Sequence, residues 1–281
     1  MPRRCMAVGV GGFTLIEMIM VIVITGIIGL VSTRFISLSV LGWLDTSSRS
    51  MWASNASATA EQIIRDIRLA LPNSVRRFEN NGSSCLELVP VLGSSDYLTL
   101  PLGLAGTVMQ VVEFPGLRSG DTGYVAVYPV GSEVIYGAAG SEPGSALSSS
   151  MATLGLVQNH RQTLVFSQNE RFLTDSPQRR VYLVDTPVAY CEDAGGRIWR
   201  YRGYGFAADS SQLLPATDAT LMLDSLLPGS LEFGLLASGV QRNAVVSVRF
   251  TTLRSVRDGN AAGSAGERQS ITREVRLLHV P

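Results

Sequence analysis

The hydrophobic pattern of this chain changes character along its length. From residue 13 to residue 31 almost every position is apolar. At about 1.5 Å per residue, that run makes a helix of roughly 28 Å. This is close to the thickness of a bilayer's hydrocarbon core and predicts a transmembrane helix. Ser32, Thr33 and Arg34 mark its outer edge, where a long Arg34 side chain reaches headgroups. Phe35, Leu38, Leu41 and Leu44 then keep apolar residues at helical spacing. After a polar stretch at 45–50, Ile63, Ile64, Ile67 and Leu71 form one stripe, and Pro72 ends it. The pattern predicts one long helix over residues 13–71, bent near Gly42. Its first half is apolar all round and its second half amphipathic.

From Asn73 onward the period becomes two. Alternation at 86–89, 124–128, 180–184, 198–201, 245–250 and 274–278 predicts strands, the last two paired as a hairpin across the loop 258–266. Residues 137–151, rich in Gly, Ser and Ala, read as a mobile loop. No internal repeat is evident. The expected fold class is α+β: a long N-terminal helix packed on a large antiparallel β domain.

Composition narrows the function classes. The chain has 281 residues, and its 23 basic and 23 acidic side chains cancel. That balance argues against a nucleic-acid partner, which calls for a basic face. All the basic side chains are Arg. Gly is abundant, at 28, and charged residues make up only 16%, which suits a loop-rich β domain outside the cytoplasm. The two histidines, His160 and His279, are far apart and offer little for a His-based metal or triad site.

One residue in the apolar run is anomalous. Glu17 lies near its start, where a carboxylate at membrane depth costs at least about 2.5–3.5 kcal/mol. Such a residue calls for a partner. The residues around it also depart from a secretory signal, because Gly11-Gly12 precede the apolar run instead of following it, with Arg3 and Arg4 further upstream. A cut after Gly12 would leave the helix on the mature chain.

Gly12-Phe13-Thr14-Leu15-Ile16-Glu17, followed by an apolar helix, resembles the type IV prepilin signal. The resemblance implies that a prepilin peptidase cuts after Gly12 and methylates the new amino terminus, Phe13. It also answers the question that Glu17 raises. In a bundle of such subunits, Glu17 meets the positive Phe13 terminus of a neighbour, and the buried pair sets axial register. The competing reading is a Glu that snorkels to the interface or loses its charge there. Many pilins carry a helix-breaking proline in the membrane half. Here Arg34 occupies that neighbourhood, so local melting of the helix is not implied.

The expected organisation is a cleaved leader over 1–12, a transmembrane half-helix over 13–34, an amphipathic half over 35–72 and a periplasmic or extracellular β domain over 73–281. Cys5 lies in the leader. Cys85 and Cys191 remain, an even pair in an oxidising compartment, and are expected to form a disulfide. Two buried thiols are the alternative, and no other Cys or His clusters near them for a metal. The stretches 70–76, 85–90, 188–191 and 195–201 resemble minor pilins of the mannose-sensitive haemagglutinin pilus system. J-type minor pseudopilins of type II secretion are the nearest rival.

These resemblances imply a non-enzymatic assembly subunit with no cofactor. It sits in the bacterial inner membrane by a single pass and later in a pilus that it helps to prime or tip. The implied partners are other minor pilins, the major pilin, the prepilin peptidase and the inner-membrane assembly platform. A third class is a membrane-anchored surface-binding adhesin module, with Trp199, Tyr201 and Tyr204 as its contact patch, although alternating aromatics on a strand more often pack across strands. Asp121, Asp193 and Asp258 are too isolated to form a calcium loop.

Overall fold

The computed structural model describes residues 12–80, 82–137, 146–207, 209, 218–236, 244–254 and 266–277. Arg3, Arg4, Cys5, Asp258 and His279, with most of the expected leader and of the 258–266 loop, lie outside them. The chain divides into two units, one reaching to Ala53 and one beginning at Ser54.

Helix α1 (Leu15–Arg68) contributes to both units and is unbroken through Arg34 and Gly42. In the first unit every residue from 12 to 46 is exposed, including Phe13, Leu30 and Phe35. This helix is long and apolar enough to cross a membrane. Several of its hydroxyl side chains bond back to the helix. Thr33 Oγ1 donates to the Gly29 carbonyl (2.8 Å), Ser37 Oγ to Thr33 (2.9 Å) and Thr46 Oγ1 to Gly42 (2.9 Å). Such back-bonding satisfies these hydroxyls within the helix itself.

The second unit carries β1 (Arg76–Asn80), β2 (Ser83–Leu88), β3 (Val91–Thr99), β4 (Gly106–Val112), β5 (Thr122–Val127), the short helix α2 (Ser132–Tyr136), β6 (Ala152–Leu154) and β7 (Arg161–Glu170). These are followed by β8 (Arg180–Val184), β9 (Val188–Glu192), β10 (Ile198–Arg202), β11 (Asp218–Leu223), β12 (Glu232–Leu236), β13 (Ala244–Arg254) and β14 (Glu267–Leu277). They form a five-stranded sheet in the order β1-β2-β9-β10-β11, a three-stranded sheet β12-β13-β14 and a closed barrel β3-β4-β7-β6-β5-β8. Among the described residues every pairing between these strands is antiparallel.

The expected α+β arrangement, a long helix packed on a large antiparallel β domain, is the one observed. Ala56, Ala60, Ile63, Ile64 and Ile67 of α1 are buried against Leu86, Leu88, Tyr190 and Ile198 of the first sheet and Phe233, Val246, Val248 and Phe250 of the second. One helical stripe therefore joins two sheets. Complete burial of a Leu or Ile side chain contributes about 1.5–3 kcal/mol, so this stripe is the main hold on the helix. Asp66 adds a polar clamp at the same interface. Its Oδ2 accepts from the Tyr190 hydroxyl (2.6 Å) and from Arg200 Nη2 (3.0 Å), and its Oδ1 from Gln62 Nε2 (2.8 Å).

The helix ends three residues before the expected boundary of 71. The reason is competition for backbone hydrogen bonds. Leu71 N–H donates to the Val89 carbonyl (2.8 Å) and Val91 N–H to Leu69 (3.1 Å), so residues 69–71 pair with 89–91 before Pro72 is reached. β8 has its expected bounds, and β13 and β14 form the expected hairpin, longer than expected at both strands.

The barrel was not expected. β2 and β9 pair directly, Leu88 opposite Val188, and strands β3 to β8 between them close into a barrel with its own core of Met109, Val111, Val125, Leu164, Phe166 and Leu183. The described part of the segment expected to be a mobile loop, 146–151, is pinned. Leu147 bridges Ala126, and Ser148 and Ser150 are buried. The buried Glu170 carboxylate accepts from Ser149 N–H and Oγ and from Ser150 N–H and Oγ at 2.6–3.0 Å.

Candidate functional site

The residues expected to be processed and to dock stand at the start of α1. Gly12, Phe13 and Thr14 precede the helix and are exposed, Phe13 by 79%, and nothing lies within 4 Å of a Cβ built on Gly12. Gly12 and Phe13 are thus non-helical and exposed among the described residues.

Glu17 occupies the third helical position. Its N–H donates to Thr14 Oγ1 (3.3 Å), which makes Thr14 the N-cap. Thr14-Leu15-Ile16-Glu17 is a T-x-x-E capping pattern, a helix-start signal carried by the sequence itself. A glutamate here also sits at the positive end of the helix dipole. Glu17 therefore has a local use in starting the helix as well as any use in docking. Its carboxylate makes no ion pair among the described residues.

Cys85 and Cys191 are joined by a disulfide. They are direct partners across β2 and β9, with Cα atoms 4.4 Å apart, the spacing of a non-hydrogen-bonded antiparallel pair. The bridge lies on the sheet face away from α1. Alternation along β9 turns Tyr190 towards the helix and Ala189 and Cys191 to the other side. Phe78, Tyr201 and Tyr204 pack over it.

The proposed aromatic patch is therefore largely engaged within the fold. The Tyr204 hydroxyl donates to Glu87 Oε1 (2.8 Å), and Arg76 Nε reaches Glu87 Oε2 at 2.5 Å while stacking over the Tyr136 ring at 3.6 Å. Burial first, then the neighbouring Glu87 carboxylate, pushes the Tyr204 and Tyr136 pKa values above their ordinary range. Trp199 Nε1 donates to Asp193 Oδ2 (2.9 Å).

The aspartates considered for calcium have other uses. Asp193 closes the β9–β10 turn through bonds from Gly195 N–H, Arg197 N–H and Arg197 Nε. Burial works to raise its pKa, but the hydrogen bonds from Trp199 and Arg197 outweigh that and hold it below the usual carboxylate value. Asp121 Oδ2 accepts from Arg118 N–H (2.8 Å). Among the described residues no three His, Cys, Asp or Glu side chains converge on a common point. His160 is exposed, with Nδ1 3.3 Å from Glu113 Oε2.

Compared with known proteins, the chain matches no family model, no curated protein and no solved structure.

Proposed function

We propose that this chain is a minor pilin of a type IV pilus, a non-enzymatic subunit that helps to prime or tip the filament. The observation that carries the reading is the start of α1. An exposed, non-helical Gly12–Phe13 bond leads directly into an apolar helix whose carboxylate, Glu17, has no partner of its own among the described residues. Cleavage there would release a charged amino terminus four residues before Glu17. Neighbouring subunits could then exchange terminus-to-carboxylate pairs in the membrane or the filament core.

The half-helix buried against the two sheets would carry the β domain on the filament surface. The other minor pilins, the major pilin, the prepilin peptidase and the inner-membrane platform are the partners this reading requires. A J-type pseudopilin of type II secretion would use the same start of the helix, and the neighbouring genes separate the two systems.

The test is the intact mass of protein from its native membrane. The expected chain begins at Phe13 with one added methyl group. Removing the leader takes Arg3 and Arg4, so 23 − 2 leaves 21 basic against 23 acidic side chains. A chain that retains Met1, or one that begins after residue 31, contradicts the reading.

A further inference from the structure

The barrel carries a surface that the rest of the fold does not require. β2 pairs directly with β9, so the helix-packed core closes without residues 91–184. β6 and β7 are joined by residues 155–160, whose tip is a two-residue turn. Gln158 N–H donates to the Arg161 carbonyl (2.8 Å), and Arg161 N–H donates back to Gln158 (3.0 Å). Asn159 and His160 between them have φ of 51° and 58°.

Turns of this kind want Gly at the second position, so His160 is strained. It is nevertheless held in place. Glu113 N–H donates to its carbonyl (3.0 Å), and its ring meets the Glu113 carboxylate. Strain maintained at one point of a surface is a pointer to function there.

Between this turn and the outer face of β4 and β7 lies an open cleft of about 730 Å³. Its lining residues include Gln110, Gln158 and Asn159, which carry carboxamides, Thr163 with its hydroxyl, Arg161 with its guanidinium, and the exposed Leu156. None of the lining residues is acidic. Arg161 forms no ion pair among the described residues. Gln162, buried in the lining, is fixed by accepting a hydrogen bond from Phe114 N–H (2.9 Å).

Carboxamides donate and accept at once, which suits hydroxyl groups, and a free guanidinium suits a carboxylate. A peptide strand fits less well. β4 and β7 are both paired on two sides within a closed barrel, so no free edge is offered to a peptide backbone, and the lining holds no apolar pocket for a side chain. We propose that this cleft binds an acidic saccharide, with its hydroxyls on the carboxamides and its carboxylate on Arg161. The inference does not rest on the pilus reading and would hold equally for a pseudopilin.

The experiment is calorimetric titration of the full chain in neutral detergent with an alginate hexamer. Maltohexaose serves as the uncharged control and an acetylated hexaglutamate peptide as the acidic one. The expected result is saturable binding of the alginate hexamer, with both controls at least tenfold weaker. Arg161→Gln should lose at least tenfold in affinity while keeping the parent thermal midpoint, and Gln110→Ala should also weaken binding. Absence of alginate binding would overturn the proposal. So would equal binding by Arg161→Gln, equal binding of maltohexaose, or equal binding of hexaglutamate, which would assign the cleft to acidic peptides.

Discussion

Cys85 and Cys191 stand directly opposite each other in β2 and β9, 4.4 Å apart at Cα, although 106 positions separate them in the chain. Nearly everything between them belongs to the inserted barrel. The bridge therefore ties the two strands through which the barrel joins the helix-packed sheet. It closes a loop of 106 positions, for which the chain-entropy estimate is about 4–5 kcal/mol.

Peptide mapping without reduction should recover Cys85 and Cys191 in one linked pair. Cys85→Ser or Cys191→Ser should lower the stability of the β domain by about 2–5 kcal/mol and leave cleavage after Gly12 unaffected. Full alkylation of both thiols before reduction would remove the bridge from the account.

The Asp66 clamp should matter to the hold between α1 and the sheet. Asp66→Ala leaves the buried Tyr190 hydroxyl and the partly buried Arg200 without their common acceptor. The expected loss is about 2–3 kcal/mol in denaturant unfolding, and Tyr190→Phe should lose about 1 kcal/mol. An unchanged midpoint for Asp66→Ala would show that the apolar stripe alone holds the helix.

High pH should unfold the domain. Burial, followed by the hydrogen bond to Asp175, pushes the Tyr97 pKa up to about 12. Burial also raises Tyr136, Tyr190 and Tyr204. The folded chain keeps these protons where the unfolded chain, titrating near about 10, has lost them. The stability they contribute is complete below about pH 10 and is lost as pH rises through the folded values, about 12 for Tyr97. Absorbance at about 295 nm should show the four phenols ionising late and together with unfolding. Tyr97→Phe should move the alkaline midpoint upward, because it removes one such proton. Four phenols titrating independently near pH 10 in the folded protein would contradict the packing described.

Much of the helix was legible because its signal is local. Apolar residues from 13 to 31 and the stripe through Ile63 and Ile67 need no distant partner to be recognised. β8 and the β13–β14 hairpin were legible because their strand formers alternate cleanly. β9 was harder, since all five of its residues are buried and no alternation shows. β3 contains Gly93, Ser94, Ser95 and Asp96, which read as turn residues. They become a strand only because β8 and β4 pair on either side.

Ser149 and Ser150 read as loose chain because their acceptor, Glu170, lies 20 or more positions away. At the N-terminus the Thr14 cap went unread, although its T-x-x-E pattern was present in the sequence. The cleft beside Asn159 depends on barrel closure and had no linear signature.

The most direct test of the central claim is co-purification of the Glu17→Gln variant with the other minor pilins, in a strain where it is the sole copy, alongside a count of surface pili. Glutamine keeps a capping-box side chain at this position, so the helix start survives and insertion and cleavage after Gly12 should be normal. What it lacks is the charge that, on the proposed reading, a neighbour's Phe13 terminus would pair with. Leaving one member of a buried ion pair alone costs about 3–5 kcal/mol, a factor of a hundred or more in docking. The account predicts loss of co-purification and of pili for Glu17→Gln and Glu17→Ala, with partial function for Glu17→Asp. Normal co-purification and normal piliation with Glu17→Gln would contradict it and leave Glu17 as a helix-capping residue only.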